Sequence, residues 1–213
     1  MADLVTVDPD EEGATVPRWA SDAIIAAGRR LDDLGWVRAT AGNLSVRLDD
    51  GTFAVTTSGQ HKGFLDADGI MGMTLDAVPT TDGRPSAEAG LHAQLYRLLP
   101  NIGAIVHGHS VPATVLSLAH RGETLVLTGY EVLKAFGNRS HEATIEVPFF
   151  ENAQDIPALA ARIEPRIDAS TAGYVLRGHG AYAWGFDMAH ALARLEALEF
   201  LLACELEKRR ISQ

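Results

Sequence analysis

Along this chain the apolar positions switch between helical spacing and strict alternation, and the switches mark the expected elements. Trp19, Ile24, Ile25, Leu31 and Leu34 recur at helical spacing behind Pro17, which suits a first helical turn, and Gly35 ends the segment. Alternating Leu44, Val46 and Leu48 predict a strand. Asp49-Asp50-Gly51 turns it back as a hairpin into residues 52–56, and Ser58-Gly59 breaks that second strand. Ser86 reads as the N-cap of a helix that runs to residue 99, where Pro100-Asn101 stops it. A short apolar strand over 102–106 follows, then a helix capped by Ser110 with Pro112 in its first turn. Strands are predicted over 124–127 and 143–147, with a helical segment over 131–136 between them. Asp155 caps a further helix, and a strand over 173–176 can pair with 182–184. Asp187 starts a long amphipathic helix with Leu192, Leu195, Leu198, Leu202 and Leu206 on one side. Mixed strands and helices in this order predict a layered α/β or α+β fold.

The 213 residues contain no internal repeat, low-complexity tract or linker, so one domain over 17–213 is expected, preceded by an acidic, flexible segment over 1–16. Hydrophobic residues at 46% and charged residues at 22% can bury a sizeable core. The net charge of −10 argues against nucleic acid or an anionic membrane as partner, and any phosphate site must be built locally. One cysteine, Cys204, excludes an intrachain disulfide and fits a reducing compartment. No basic start with an apolar core, as in a signal peptide, and no apolar run of roughly 20 residues is present, so a cytoplasmic protein is expected.

The most informative local chemistry is Ile105-Val106-His107-Gly108-His109-Ser110. Histidines two apart in extended chain point to one side, so both rings can reach one ion. His179, in Arg177-Gly178-His179-Gly180, is the third candidate at the end of a predicted strand. Three neutral imidazoles with an open fourth position form the ligand set of a catalytic zinc site. Spacing alone does not bring His179 to the pair, and His61, His92, His120, His141 and His190 read as surface or core histidines. Ala41-Gly42-Asn43-Leu44-Ser45 and Thr56-Thr57-Ser58-Gly59 join hydroxyl or amide donors to glycine, Lys62 adds a point charge, and Ser86 opens a predicted helix. These can cradle an anion, although each is also ordinary turn chemistry. Glu88 and Glu131 are the carboxylates available for acid/base work, with a solvated helix face as the plainer account of both.

Together these motifs resemble the class II aldolase/adducin-head family from about residue 19 to residue 209. Within it, Gln60-His61-Lys62-Gly63, Gly129-Tyr130-Glu131-Val132-Leu133-Lys134, His141-Glu142-Ala143-Thr144 and Pro148-Phe149-Phe150-Glu151-Asn152 are similar to a dehydratase branch that serves methionine salvage. So is the ending Leu198-Glu199-Phe200-Leu201-Leu202-Ala203-Cys204-Glu205. The resemblance implies a three-layer αβα fold with a central, mainly antiparallel sheet, assembled as a ring-shaped homotetramer with sites near subunit interfaces. It implies one zinc ion per subunit on His107, His109 and His179, and phosphate contacts from Asn43, Ser58, Gly59, Lys62 and Ser86. Glu131 matches the acid/base of the dehydratases and Glu88 that of the aldolases, and this chain carries both. Ala87 stands where aldolase relatives often have a second hydroxyl. The implied activity is dehydration of a ketose 1-phosphate, with a sugar-phosphate aldolase, a pentulose-phosphate 4-epimerase or a non-catalytic scaffold as alternatives.

Overall fold

The computed structural model describes residues 15–137 and 140–212, so nearly all of the N-terminal segment expected to be flexible lies outside the described residues. Strands β1 (Asn43–Arg47), β2 (Phe53–Thr56), β3 (Ile70–Met73), β4 (Ala104–Gly108), β5 (Thr124–Thr128), β6 (Thr144–Phe150), β7 (Tyr174–Leu176) and β8 (Gly180–Gly185) form one sheet. Their order is β3-β2-β1-β4-β8-β7-β6-β5, and every pairing is antiparallel except β6 with β7. Helices α1 (Arg18–Asp33), α3 (Val111–Ala119) and α5 (Met188–Ile211) cover one face, and α2 (Ala89–Leu98) and α4 (Ile156–Ile163) cover the other. This is the three-layer αβα arrangement with a mainly antiparallel sheet that the resemblance implies.

Strand alternation builds the two cores. On β4, Ala104 and Val106 face the first core and Ile105 the second; on β8, Ala181 and Ala183 oppose Tyr182 and Trp184 in the same way. His107 therefore follows Ile105 onto the α2 face. Ser110, Asp155 and Asp187 cap α3, α4 and α5 through side-chain oxygens that accept backbone N–H bonds, as their sequence positions predict.

Two local readings, at Ser86 and at β3, differ from what is found. Ser86 is not a cap: α2 begins at Ala89, and the Ser86 N–H is already donated to the Thr56 carbonyl beside the Thr57–Pro85 bridge. Residues Glu131–Phe136 do form the predicted helical segment, of the 3-10 kind. Strand β3 is missing from the sequence reading because all four of its residues are buried, which erases alternation. Among the described residues, no helix is long and apolar enough to cross a membrane.

Glu199 on α5 is buried, with Oε2 accepting from the Ser110 hydroxyl and Oε1 without a hydrogen-bond partner among the described residues. Burial pushes its pKa up to about 8 from an ordinary 4.5. The folded protein thus holds this proton more tightly than the unfolded chain, so its contribution to stability is full below 4.5 and is lost as pH rises through about 8. Glu199→Gln keeps the acceptor and removes the titration. Its melting temperature should change less than that of the wild type between about pH 5 and about pH 9, leaving the variant the more stable protein at the alkaline end. Parallel melting curves for the two proteins would show that this carboxyl does not titrate on unfolding.

Candidate metal centre and anion pocket

One row of residues across four adjacent strands carries the centre. Asn43 on β1 is paired with His107 on β4, His107 with Tyr182 on β8, and Tyr182 with Tyr174 on β7. The Tyr182 ring stacks on His107 with centroids 3.9 Å apart, which locks the imidazole plane. His107 Nδ1 lies 2.9 Å from the Ala181 carbonyl and donates to it, leaving the lone pair on Nε2. His109 follows the end of β4, held by its backbone N–H to the Trp36 carbonyl at 2.6 Å.

His179 arrives through the turn between β7 and β8, where Gly178 adopts φ +64°. Its Nδ1 lies 3.2 Å from the Asn152 amide oxygen, so its Nε2 is also free. Glycine at 180 is required by this approach, since a Cβ there would strike the Gly108 carbonyl and sit 3.0 Å from both the His107 and His109 rings. The Nε2 atoms of His109 and His179 lie 2.8 and 3.4 Å from that of His107.

This arrangement fits a metal ion on its own chemistry. His107 and His179 turn lone pairs toward each other and toward His109, a donor set that suits a cation. Burial, then the neighbouring imidazoles, holds His107 well below the usual histidine range. Burial first and His179 second bring His109 down to about 4, so both imidazoles are neutral at ordinary pH, the form in which histidine can bind a metal. Glu88, the N-cap residue of α2, places Oε2 3.3 Å from His107 Nε2 and Oε1 3.4 Å from His179 Nε2.

A cavity of about 340 Å³ opens beside the triad and brings together Asn43, Ser58, Gly59, Lys62, Ser86 and Glu88 with His109 and His179. Lys62 is buried, its Nζ donating to the carbonyls of Thr40 at 3.1 Å and Gln60 at 2.6 Å, with one N–H left over among the described residues. Burial lowers its pKa to about 8. Asn43 is mostly committed inside the protein, donating to Glu88 at 2.7 Å and accepting from His92. Glu131 does not line this cavity. It is exposed and paired with Lys134, with His141 Nδ1 4.0 Å away. Asn152 and His92 carry no site signal of their own in the sequence: the first stands at the end of the motif Pro148-Phe149-Phe150-Glu151-Asn152, and the second reads as a plain core histidine.

A profile of the class II aldolase and adducin N-terminal domain matches residues 22–206. The chain belongs to this family. Among class II aldolase relatives, it is 55% identical over 202 residues to a methylthioribulose-1-phosphate dehydratase of Granulibacter bethesdensis, covering 92% of this chain and 94% of that one. A protein of the same name from Acidiphilium cryptum is 52% identical over 205 residues, covering 95% and 97%. Of solved structures, an L-fuculose 1-phosphate aldolase superposes with a TM-score of 0.79 at 20% identity, covering 93% of this chain and 90% of that one, a likeness of fold.

Proposed function

We propose that this class II aldolase-family chain is a hydro-lyase that removes water from 5-methylthioribulose 1-phosphate in methionine salvage, giving 2,3-diketo-5-methylthiopentyl 1-phosphate. The observation that carries the reading is identity of 52–55% over nearly the whole length to relatives bearing that name. The converging imidazoles of His107, His109 and His179 supply the chemistry it needs. A set of three histidines suits zinc, one ion per subunit. Such an ion supplies Lewis-acid polarisation of the carbon 2 ketone, which makes the neighbouring carbon 3 proton acidic.

The chain's own groups account for the rest. Lys62 and the hydroxyls of Ser58 and Ser86 anchor the phosphate at the cavity, so that remote binding energy orients the reacting carbons. A carboxylate then takes the carbon 3 proton, the carbon 4 hydroxyl leaves with a proton as water, and the resulting enol tautomerises to the diketone. Glu88 lies within the site, and we assign the carbon 3 proton to Glu131. Because Glu131 is outside its own chain's cavity, this assignment requires a neighbouring copy, in keeping with sites at the interfaces of a homotetramer.

Mass analysis of the products from 5-methylthioribulose 1-phosphate tests the reading. Loss of one water is the expected result; a smaller ketone phosphate plus an aldehyde would make the chain an aldolase. A second test concerns Lys62, which is charged below about 8 and neutral above it. Lys62→Met should raise KM about 10- to 100-fold, the worth of a charge-assisted hydrogen bond, and leave kcat much less affected. In the wild type, KM should climb as pH passes through about 8, because the ammonium loses its proton there. A pH-independent KM would remove Lys62 from the phosphate site.

A further inference from the structure

Behind Glu88 lies a buried line of polar groups that none of the chemistry above uses. The Tyr96 hydroxyl is 2.8 Å from Ser45 Oγ, and Ser45 Oγ is 2.7 Å from His92 Nδ1. His92 Nε2 contacts Asn43 Oδ1, and Asn43 Nδ2 is 2.7 Å from Glu88 Oε2. Ser45, Tyr96 and His92 are no more than 1% exposed, and Asn43 is 2% exposed. Residues 43 and 45 share one face of β1, while residues 92 and 96 lie one turn apart on α2, so two elements join along a single ladder.

The polarity of this ladder is decided from its end. The Asn43 amide places Nδ2, its donor, 2.7 Å from Glu88 Oε2, which turns its oxygen to His92. That oxygen demands a proton on His92 Nε2, which leaves Nδ1 as an acceptor for the Ser45 hydroxyl. Ser45 has one proton to give, so Tyr96 donates to it. The reversed ladder would set the amide oxygen of Asn43 against the Glu88 carboxylate. Burial keeps the proton on the Tyr96 phenol and holds His92 neutral, with a pKa pushed down to about 3, so the ring carries one proton and the ladder has a single polarity.

We propose that His92 is a positioning residue: its Nε2–H holds the Asn43 amide in the one orientation that pins the Glu88 carboxylate against the three-histidine centre. A core histidine satisfied for stability alone would not need a chain of donors that ends on the carboxylate beside that centre. The inference rests on reading that centre as the active site. It also separates Asn43 from the other residues of the cavity, because one N–H and the oxygen of its amide serve Glu88 and His92 rather than an anion.

Two measurements test it. In protein labelled with 15N-histidine, long-range 1H–15N correlation should find His92 as the neutral Nε2–H tautomer, its signal assigned by its loss in His92→Gln. An Nδ1–H tautomer would reverse the ladder and overturn the proposal. Turnover of 5-methylthioribulose 1-phosphate by folded, metal-loaded His92→Phe should then show kcat reduced about 10- to 100-fold with KM within about threefold, as outer-shell losses do. His92→Gln, which restores a donor to Asn43, should recover most of that loss. A His92→Phe enzyme with wild-type kcat would overturn the proposal, as would one that His92→Gln does not improve upon. If His92→Phe does not fold, the tautomer in the wild type still decides. A wild type with the Nε2–H tautomer and bound metal but no dehydration would support the ladder and overturn the assigned reaction instead.

Discussion

His179→Ala should yield a folded protein without its metal and with turnover reduced by about a thousandfold or more, since polarisation of the ketone is lost along with the ion. His179 sits in the turn between β7 and β8, with its side chain near the surface, so its removal leaves little void. His107→Ala should lose the metal equally but also destabilise the fold, because its ring is fully buried, stacked on Tyr182 and bonded to the Ala181 carbonyl. Deleting a buried ring of this kind costs about 3 kcal/mol or more. Elemental analysis and thermal melting of the two variants together separate ligand from scaffold. Full metal occupancy in either one would remove that histidine from the centre.

Glu131→Gln should lower kcat about 10²- to 10⁴-fold while metal content and substrate binding remain, the usual cost of removing a general base. The exposed position of Glu131, paired with Lys134 away from its own cavity, makes a sharper experiment available. Glu131→Gln and His179→Ala subunits, each inactive alone, should regain activity when denatured and refolded together. A mixed assembly can set an intact triad of one subunit against an intact Glu131 of the next. If Glu131 served only its own chain, every site would lack one of the two and the mixture would stay inactive. A fully active Glu131→Gln enzyme would transfer the proton to Glu88, which already lies beside His107 and His179.

Local chemistry made much of this protein legible in its sequence. The caps at Ser110, Asp155 and Asp187 and the turn at Asp49-Asp50-Gly51 depend on a few adjacent residues, so they can be read without the fold. The same holds for the His-Gly-His strand end, where alternation alone puts His107 and His109 on one side. Strand β3 and the start of α2 were hidden for the opposite reason. Burial on both faces removes the period from residues Ile70–Met73, and a backbone bond to Thr56 takes Ser86 out of the helix.

Local spacing supplies the side chains: three histidines in glycine settings, a lysine and hydroxyls in turns, and two carboxylates. Which of them meet depends on how the whole chain packs. His179 is 72 residues from His107 and reaches it because β8 lies next to β4, with Gly180 clearing the space between them. Glu88 was drawn to the same point by α2, whereas Glu131 was left outside on its exposed turn. The direction of the ladder through His92 likewise arises only when β1 and α2 are packed face to face. Spacing along a chain sets the geometry of neighbours, but contacts between distant residues come from the order in which strands join a sheet, and that order is a property of the whole fold.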